Sequence, residues 1–364
     1  MRAEMERGRD ASLRPAIIRA AVLGAIAAVV GVVLGLLIHW FPAQGSTQAH
    51  KIDTFWDVLI IVSVPIFVLV VTTVLFSVVK FRMRPGEEDL DGPPIHGNTR
   101  LEVIWTAVPA TILIALCAYA YIVLHDVEKA PANGREMDVK VIGRQFTWQF
   151  EYTGKDGKKF QTTQLYVPEG RSVRFNVVSE DVLHDFWVPA WRMKIDAVPG
   201  ITTHYRITPV KTGHTVTYPV VCAELCGLGH AFMRQTAHVM TQQAFDAWFA
   251  KQSNPSAAAG GAAAGGGAAA GGANVAAGKQ VFASNGCAAC HTLSDAGASG
   301  SIGPDLDKVL ASQNQAFIKQ SIVDPNAVIA KGFQKGIMPE TFKTQIKPPD
   351  LDALVKYLYT VTHK

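Results

Sequence analysis

The sequence predicts a multidomain membrane protein. It should contain a transmembrane helical hairpin preceded by a further hydrophobic segment, then a β-sandwich, then a small all-α domain. Three observations predict this. Charge-free stretches of helix length that are rich in large apolar residues occur only before residue 125. Short β-rich runs divided by turn residues fill 137–250. A stretch of pure Ala and Gly at 257–273 sets these apart from a last segment, 275–364, with helical periodicity.

The chain has 364 residues, enough for two or three domains. Only 18% of residues are charged and mean hydropathy is positive, an oily balance for a soluble protein. The net charge of +4 is modest and no long run of Lys and Arg appears, which argues against a nucleic-acid partner.

Ala20–Ile38, Val58–Val79 and Val103–Leu124 carry no charge, and each is close to the ~20 residues needed to cross a bilayer. The first follows Arg2, Arg7, Arg9, Arg14 and Arg19, so it reads as a retained helix or an unusually long signal sequence. Residues 39–54 contain only Lys51 as a Lys or Arg, whereas the next connection holds Lys80, Arg82, Arg84 and Arg100. The positive-inside rule then puts 80–102 in the cytoplasm and everything after 125 outside. Cys117, inside the third apolar stretch, reads as helix packing.

Met137–Ile142, Phe146–Tyr152, Ser172–Val178 and Thr203–Ile207 read as strands, with turns at Gly154, Lys155, Asp156, Gly157 and the Pro168–Gly170 step. The interleaved glycines of 257–273 oppose a helix at roughly 1 kcal/mol each. A flexible tether is expected there, with a reach on the order of 20–25 Å. Beyond it Val275–Ala283 reads as a first helix. Asp350–Val361 reads as a last one, with Leu351, Leu354, Leu358 and Val361 at helical spacing. The expected divisions are 1–50, 51–130 (the hairpin), 131–250, 251–274 (the linker) and 275–364.

Four of the five cysteines form two close pairs, a spacing that suits metal or cofactor attachment better than a disulfide framework. Cys222, Cys226, His230 and Met233 fall within twelve residues. Thiolate and thioether are soft ligands that favour copper, and imidazole also suits it. Two cysteines in one loop can bridge two metals. A second histidine completes the set. His184, near the end of a predicted strand, is the best candidate among several. A Cys2His2 zinc site is the competing reading and leaves Met233 without a role. Cys287-Ala-Ala-Cys290-His291 is the c-type haem attachment motif, with His291 as proximal ligand. Met338 is the expected distal ligand, and His/Met ligation leaves no open site, as an electron carrier requires. A thioredoxin-like pair lacks the adjacent His and needs a βαβ pattern that is missing here.

The loop Cys222-Ala-Glu-Leu-Cys226-Gly-Leu-Gly-His230-Ala-Phe-Met233 resembles the binuclear copper A loop of cytochrome oxidase subunit II, a cupredoxin-like β-sandwich. Ser179–His184 and Lys194–Gly200 match that family too. The resemblance implies copper ligation by His184, Cys222, Cys226, His230 and Met233 with the Glu224 carbonyl. It also implies a magnesium, shared with the catalytic subunit, at the Glu224 carboxylate. Glu102 matches the carboxylate at the mouth of a proton path. The aromatic run of the family appears as Gln145-Phe146-Thr147-Trp148, with Phe146 in place of the usual electron-entry tryptophan and Trp148 retained. That fits a donor carried by the chain itself.

Residues 275–364 resemble a class I cytochrome c, with Gly303-Pro304-Asp305-Leu306 where that family packs its haem. Together the halves resemble subunit II of caa3-type oxidases. The resemblance implies electron flow from haem c to copper A and on to subunit I, where oxygen is reduced to water with proton translocation. Subunits I and III are the implied partners. The upstream donor is a quinol:cytochrome c reductase or a soluble cytochrome c. The implied location is the bacterial plasma membrane, with both metal domains on its outer face. The alternative is a subunit of a copper-dependent nitric oxide reductase. Nitrous oxide reductase needs a copper-cluster domain for which there is no room. A copper-delivery module needs no haem domain, and a quinol oxidase subunit lacks the copper ligands.

Overall fold

The computed structural model describes residues 2–82, 96–132, 134, 136–154, 156–253 and 271–363. The chain divides into two compact units, Met1–Pro42 with His50–Val127, and Ala43–Ala49 with Glu128–Lys364.

The first unit consists of α1 (Arg2–Leu37), α2 (Thr47–Phe81) and α3 (Thr99–Val127). Each contains a span long and apolar enough to cross a membrane: Leu13–Leu37, Thr47–Phe81 and Thr99–Val127. The apolar side chains face outward. Val79 and Ile114 are both 71% exposed, which is costly in water but is what a hydrocarbon surround requires. Glycines bring α1 close to α2: a Cβ at Gly31 would lie 2.9 Å from Val64, and one at Gly35 2.8 Å from Ile60. Asn98 caps α3 by accepting from the Leu101 amide, while Glu102, one residue further on, reaches back to accept from the Asn98 amide. Of the basic connection, Lys80, Arg82 and Arg100 are described; Arg84 lies outside the described residues, as does Lys155 of the predicted turn.

The second unit begins with two five-stranded sheets, ordered β3-β2-β1-β5-β8 and β4-β10-β9-β6-β7. The strands are β1 (Met137–Arg144), β2 (Thr147–Thr153), β3 (Lys159–Thr162), β4 (Leu165–Pro168), β5 (Val173–Ser179), β6 (His184–Trp187), β7 (Lys194–Ala197), β8 (Thr203–Ile207), β9 (Val216–Cys222) and β10 (Arg234–Met240). β5 alternates strictly, with Val173, Phe175 and Val177 inward. β1 pairs parallel with β5 and antiparallel with β2, and β10 pairs parallel with β4. Between the sheets lie Trp148, Phe150, Phe175, Phe186 and Trp191, all fully buried.

Two expectations shift. Phe146 does not open a strand: Arg144 pairs with Thr147, so Gln145 and Phe146 form the two-residue tip that reverses the chain. His184 opens β6 instead of closing a strand, because 180–183 turn the chain across to the second sheet.

α4 (Gln242–Ser253) closes the sandwich, burying Phe245 and stacking Trp248 on Tyr166 at 4.3 Å. The tether expected at 257–273 falls mostly on 254–270, outside the described residues. The helix after it, α5 (Gly271–Ser284), starts earlier than the expected Val275. α5 crosses α7 (Pro348–Thr362) so closely that a Cβ at Gly278 would lie 2.1 Å from the Ala353 carbonyl oxygen. Such packing outweighs the low helix propensity of glycine. α6 (Gln315–Val323) lies between them in the chain, and Leu351, Leu354 and Leu358 of α7 are buried as their spacing predicts.

Candidate metal centres

The first centre lies where the second sheet opens. β9 and β10 pair up to Val221 and Arg234, and the Cys222 amide donates to the Met233 carbonyl at 3.1 Å. The loop 223–232 is therefore an excursion held at both ends by a ladder. Phe186 of β6 pairs with Cys222, which brings His184 in from 38 residues upstream. The ligand atoms of His184, Cys222 and Cys226 all lie within 4.8 Å of one another. Cys222 Sγ is 3.8 Å from Cys226 Sγ and 3.2 Å from the Glu224 carbonyl oxygen. Cys226 Sγ is 3.6 Å from His230 Nδ1 and 3.9 Å from Met233 Sδ. The structure thus brings together all six residues that the sequence reading named.

The electrostatics suit cations. The hydrogen bond from Cys226 pulls the Cys222 thiol strongly down, and the same pairing pushes Cys226 up. Two sulfurs so close share one proton, and metal ions would take its place. Burial alone would lower His184, but Asp181 and Cys222 outweigh it and raise it. His184 Nε2 is 2.8 Å from Asp181 Oδ1, and its Nδ1 faces Cys222 Sγ at 3.9 Å. Asp181 also accepts from the amides of Gln145 and Val182. This carboxylate holds the imidazole so that Nδ1 is free for a metal. Sequence reasoning did not single it out; an acid three residues before the histidine was the available signal. Gly143 leaves room for the ring, since a Cβ there would lie 2.9 Å from His184.

Two aromatic residues flank the loop. Trp148 is fully buried, its ring edge-on to His184 at 5.9 Å. Phe146 covers the loop glycines, and a Cβ at Gly229 would lie 2.3 Å from its ring.

The second centre is a cavity of about 500 Å³ lined by Cys287, Cys290, His291 and Met338 among mostly apolar neighbours. That size falls in the range of cofactor pockets. His291 Nδ1 is 2.9 Å from the Pro304 carbonyl oxygen; donating there would fix the tautomer that leaves Nε2 for a metal. Burial lowers His291, favouring the neutral ring a ligand must be, with the Pro304 contact opposing. A Cβ at Gly303 would lie 2.6 Å from the imidazole. Burial pushes both thiols up, Cys287 to about 12. A paired thiol set, a neutral and oriented imidazole, and a thioether around one apolar cavity fit a covalently attached haem.

A metal-binding sandwich and a small helical domain behind membrane-spanning helices define a membrane-anchored electron-transfer protein. Family models match three stretches: "Cytochrome C oxidase subunit II, transmembrane domain" at residues 24–123, "Cytochrome C oxidase subunit II, periplasmic domain" at 160–240, and "Cytochrome c" at 275–362. Cytochrome c oxidase subunit 2 of Thermostichus vulcanus is 32% identical over 60% of this chain and 82% of the relative. That of Alkalihalophilus pseudofirmus is 31% identical over 83% of this chain and 84% of the relative. The crystal structure of the periplasmic domain of subunit II of cytochrome oxidase of Bradyrhizobium japonicum is 27% identical, covering 35% of this chain and 98% of that one with a TM-score of 0.31. The chain belongs to the cytochrome c oxidase subunit II family, as a caa3-type fusion to a cytochrome c domain. It is part of a haem–copper oxidase complex, has a copper A-type His/Cys/Met site, and carries a periplasmic oxidase domain.

Proposed function

We propose that this chain is the electron-input subunit of its oxidase. His184, Cys222, Cys226, His230, Met233 and the Glu224 carbonyl hold a binuclear copper centre. Cys287, Cys290, His291 and Met338 hold a haem c that feeds it. A binuclear copper centre held by these residues would supply one-electron transfer with the charge change spread over two metals. The protein's own residues keep that centre rigid: Asp181 orients His184, the β9–β10 ladder pins both ends of the loop, and Trp148 packs beneath. The observation that carries the reading is the pair of cysteine sulfurs 3.8 Å apart, with His184, His230 and Met233 beside them.

Electrons then pass to subunit I, where oxygen is reduced and protons are translocated. Val182 and Leu183, next to His184, and Leu225 and Leu228 inside the loop are exposed apolar side chains. They support a protein partner over the copper loop, with subunit III further along the assembly. The exposed Glu224 is available for a magnesium shared with subunit I. Trp148 and Phe146 are the aromatic route to the copper. Glu102 serves a proton path besides its capping bond. The domains run 1–50, 51–130, 131–250, 251–274 and 275–364. The copper and haem domains work on the outer face of the bacterial plasma membrane, supplied by a quinol:cytochrome c reductase or a soluble cytochrome c.

Metal content and electron paramagnetic resonance on the purified full chain test this. Two coppers per chain, with hyperfine coupling shared over both nuclei, are expected. One copper, or zinc, would remove the binuclear reading.

A further inference from the structure

The two side chains that face the haem cavity as axial ligands are held very differently. His291 caps the Cys287–Cys290 turn, with Gly303 close to its ring and the Pro304 carbonyl oxygen on Nδ1. Met338 lies on a loop with no such frame. Residues 331–336 are all exposed. Among the described residues, 334–340 form no backbone-to-backbone hydrogen bond, and Pro339 has no amide to offer one. Left to itself, a loop of this kind opens locally at little cost and would carry the thioether away with it.

One side chain fastens it. Asn326 stands three residues beyond α6, in a tight turn where the Ala327 amide donates to the Asp324 carbonyl oxygen at 3.1 Å. Pro325, at the first corner of that turn, is buried and blocks any continuation of α6. α6 packs on α7, with Ile318 and Ile322 buried. Asn326 therefore starts from a firm support. Its Oδ1 accepts from the Gly336 amide at 2.9 Å, and its Nδ2 donates to Glu340 Oε1. These partners fix which way the amide points, since an N–H takes the oxygen and a carboxylate takes the nitrogen. Gly336 and Glu340 stand two residues to either side of Met338. Both ends of one amide are thus used, one for each flank of the ligand. Asn326 also lines the cavity beside Met338.

We propose that Asn326 is the positioning residue of the distal haem ligand: it clamps the Gly336–Glu340 loop so that Met338 keeps the sixth iron position closed. This rests on the haem reading above and adds to it the reason an exposed loop can hold a ligand. Asn326 brings no charge to the site and acts by geometry alone. The two axial ligands then divide the work. His291 is fixed by the turn that carries the cysteines, whereas Met338 is fixed from outside its own loop, by a residue twelve positions earlier in the chain. Without the clamp, Met338 gives way to outside donors, and a carrier needs a closed site.

The test uses the full haem-loaded chain, with Asn326→Leu, Glu340→Ala and Glu340→Gln as separate variants and imidazole as the added ligand. Asn326→Leu keeps the size of the side chain and removes both hydrogen bonds. Glu340→Ala removes one, at an exposed position. Optical titration of the oxidised chain with imidazole is the first readout and the haem midpoint potential the second. In Asn326→Leu the imidazole affinity should rise about ten-fold, the order expected for two lost hydrogen bonds. The potential should fall, because methionine ligation is what raises it. Glu340→Ala should show a smaller rise, and Glu340→Gln, whose Oε1 still accepts, should match the wild type. A part in folding alone would lower the Tm and leave the imidazole affinity where it was. Unchanged affinity in Asn326→Leu would overturn the clamp. If that variant fails to take up haem, the Glu340 pair decides: a rise in Glu340→Ala alone supports the clamp, and no difference between the two overturns it. A wild-type chain whose spectrum lacks methionine ligation would instead remove the underlying reading.

Discussion

The copper loop and the haem cavity use the same residue types in opposite ways. In the copper loop two cysteines sit against each other, and one thiol is drawn down by the other. In the haem cavity burial pushes both thiols up. The first arrangement suits ligands that must be thiolates. The second suits sulfurs that end as neutral thioethers. The sites also differ in how much fold each consumes. Cys287, Cys290 and His291 span a single helical turn and its cap, with only Met338 distant. The copper set needs β6, β9 and the loop before β10 to converge. One site is local; the other exists only while a sheet holds its register.

The largest effects should come from removing a group that each site cannot replace. Cys226→Ser takes away one bridging sulfur. Copper content should fall from two per chain to one or none, while the haem spectrum survives. His291→Ala should abolish the low-spin haem spectrum and leave the copper resonance signal intact. Metal analysis and optical spectra on both variants check the pair. Loss of both centres in either variant would break the contrast between a sheet-dependent and a local site.

How much of each site was legible in the sequence follows from the same contrast. The haem motif is contiguous and needs no topology, so it reads directly. The loop cysteines, His230 and Met233 read equally well. His184 is another matter: only the Phe186–Cys222 pairing shows why this histidine, and not another, comes to lie beside the loop cysteines. Asp181 stayed hidden because an acid in a Ser-Glu-Asp run looks like a solvated turn until its hydrogen bonds to Gln145, Ser179, Val182 and His184 are seen. Of the two sheets, β1, β2, β5 and β8 of the first were legible as strands, but neither the strands of the second sheet nor the parallel β1–β5 and β4–β10 pairings, which join segments distant in sequence. The position of Phe146 was set by turn geometry and not by its strand propensity. The closeness of α5 to α7 at Gly278 is set by their crossing, which no local glycine count can express.

Asp181→Asn removes the charge that orients His184 without changing shape. Copper affinity should fall about 10–100-fold, the usual cost of losing a second-layer partner. Titration against a copper chelator measures it, and an unchanged affinity would mean that sheet packing alone positions the ring. The matching perturbation in the haem cavity is Gly303→Ala, whose Cβ would press on His291 at 2.6 Å. Overpacking of this kind costs about 1–3 kcal/mol. It should appear as a lower Tm of the haem domain and a shifted haem band, with copper affinity unchanged.

The smallest effect concerns a carboxylate far in sequence from both metal loops. Glu169 accepts hydrogen bonds from the Thr212 and Gly213 amides, tying the end of β4 to the β8–β9 connection. Those bonds hold its carboxyl below the usual range. A carboxyl whose pKa is lowered by folding contributes stability above its unfolded value, near ~4.3, and loses it as pH falls through its folded value. Glu169→Gln should therefore lower the Tm of the copper domain near neutrality, and the gap to wild type should close as the solution is acidified. The haem domain should show no such gap at any pH. Calorimetry across that range checks both. A copper-domain gap that stayed constant with pH would mean that Glu169 acts through its shape and not through its charge.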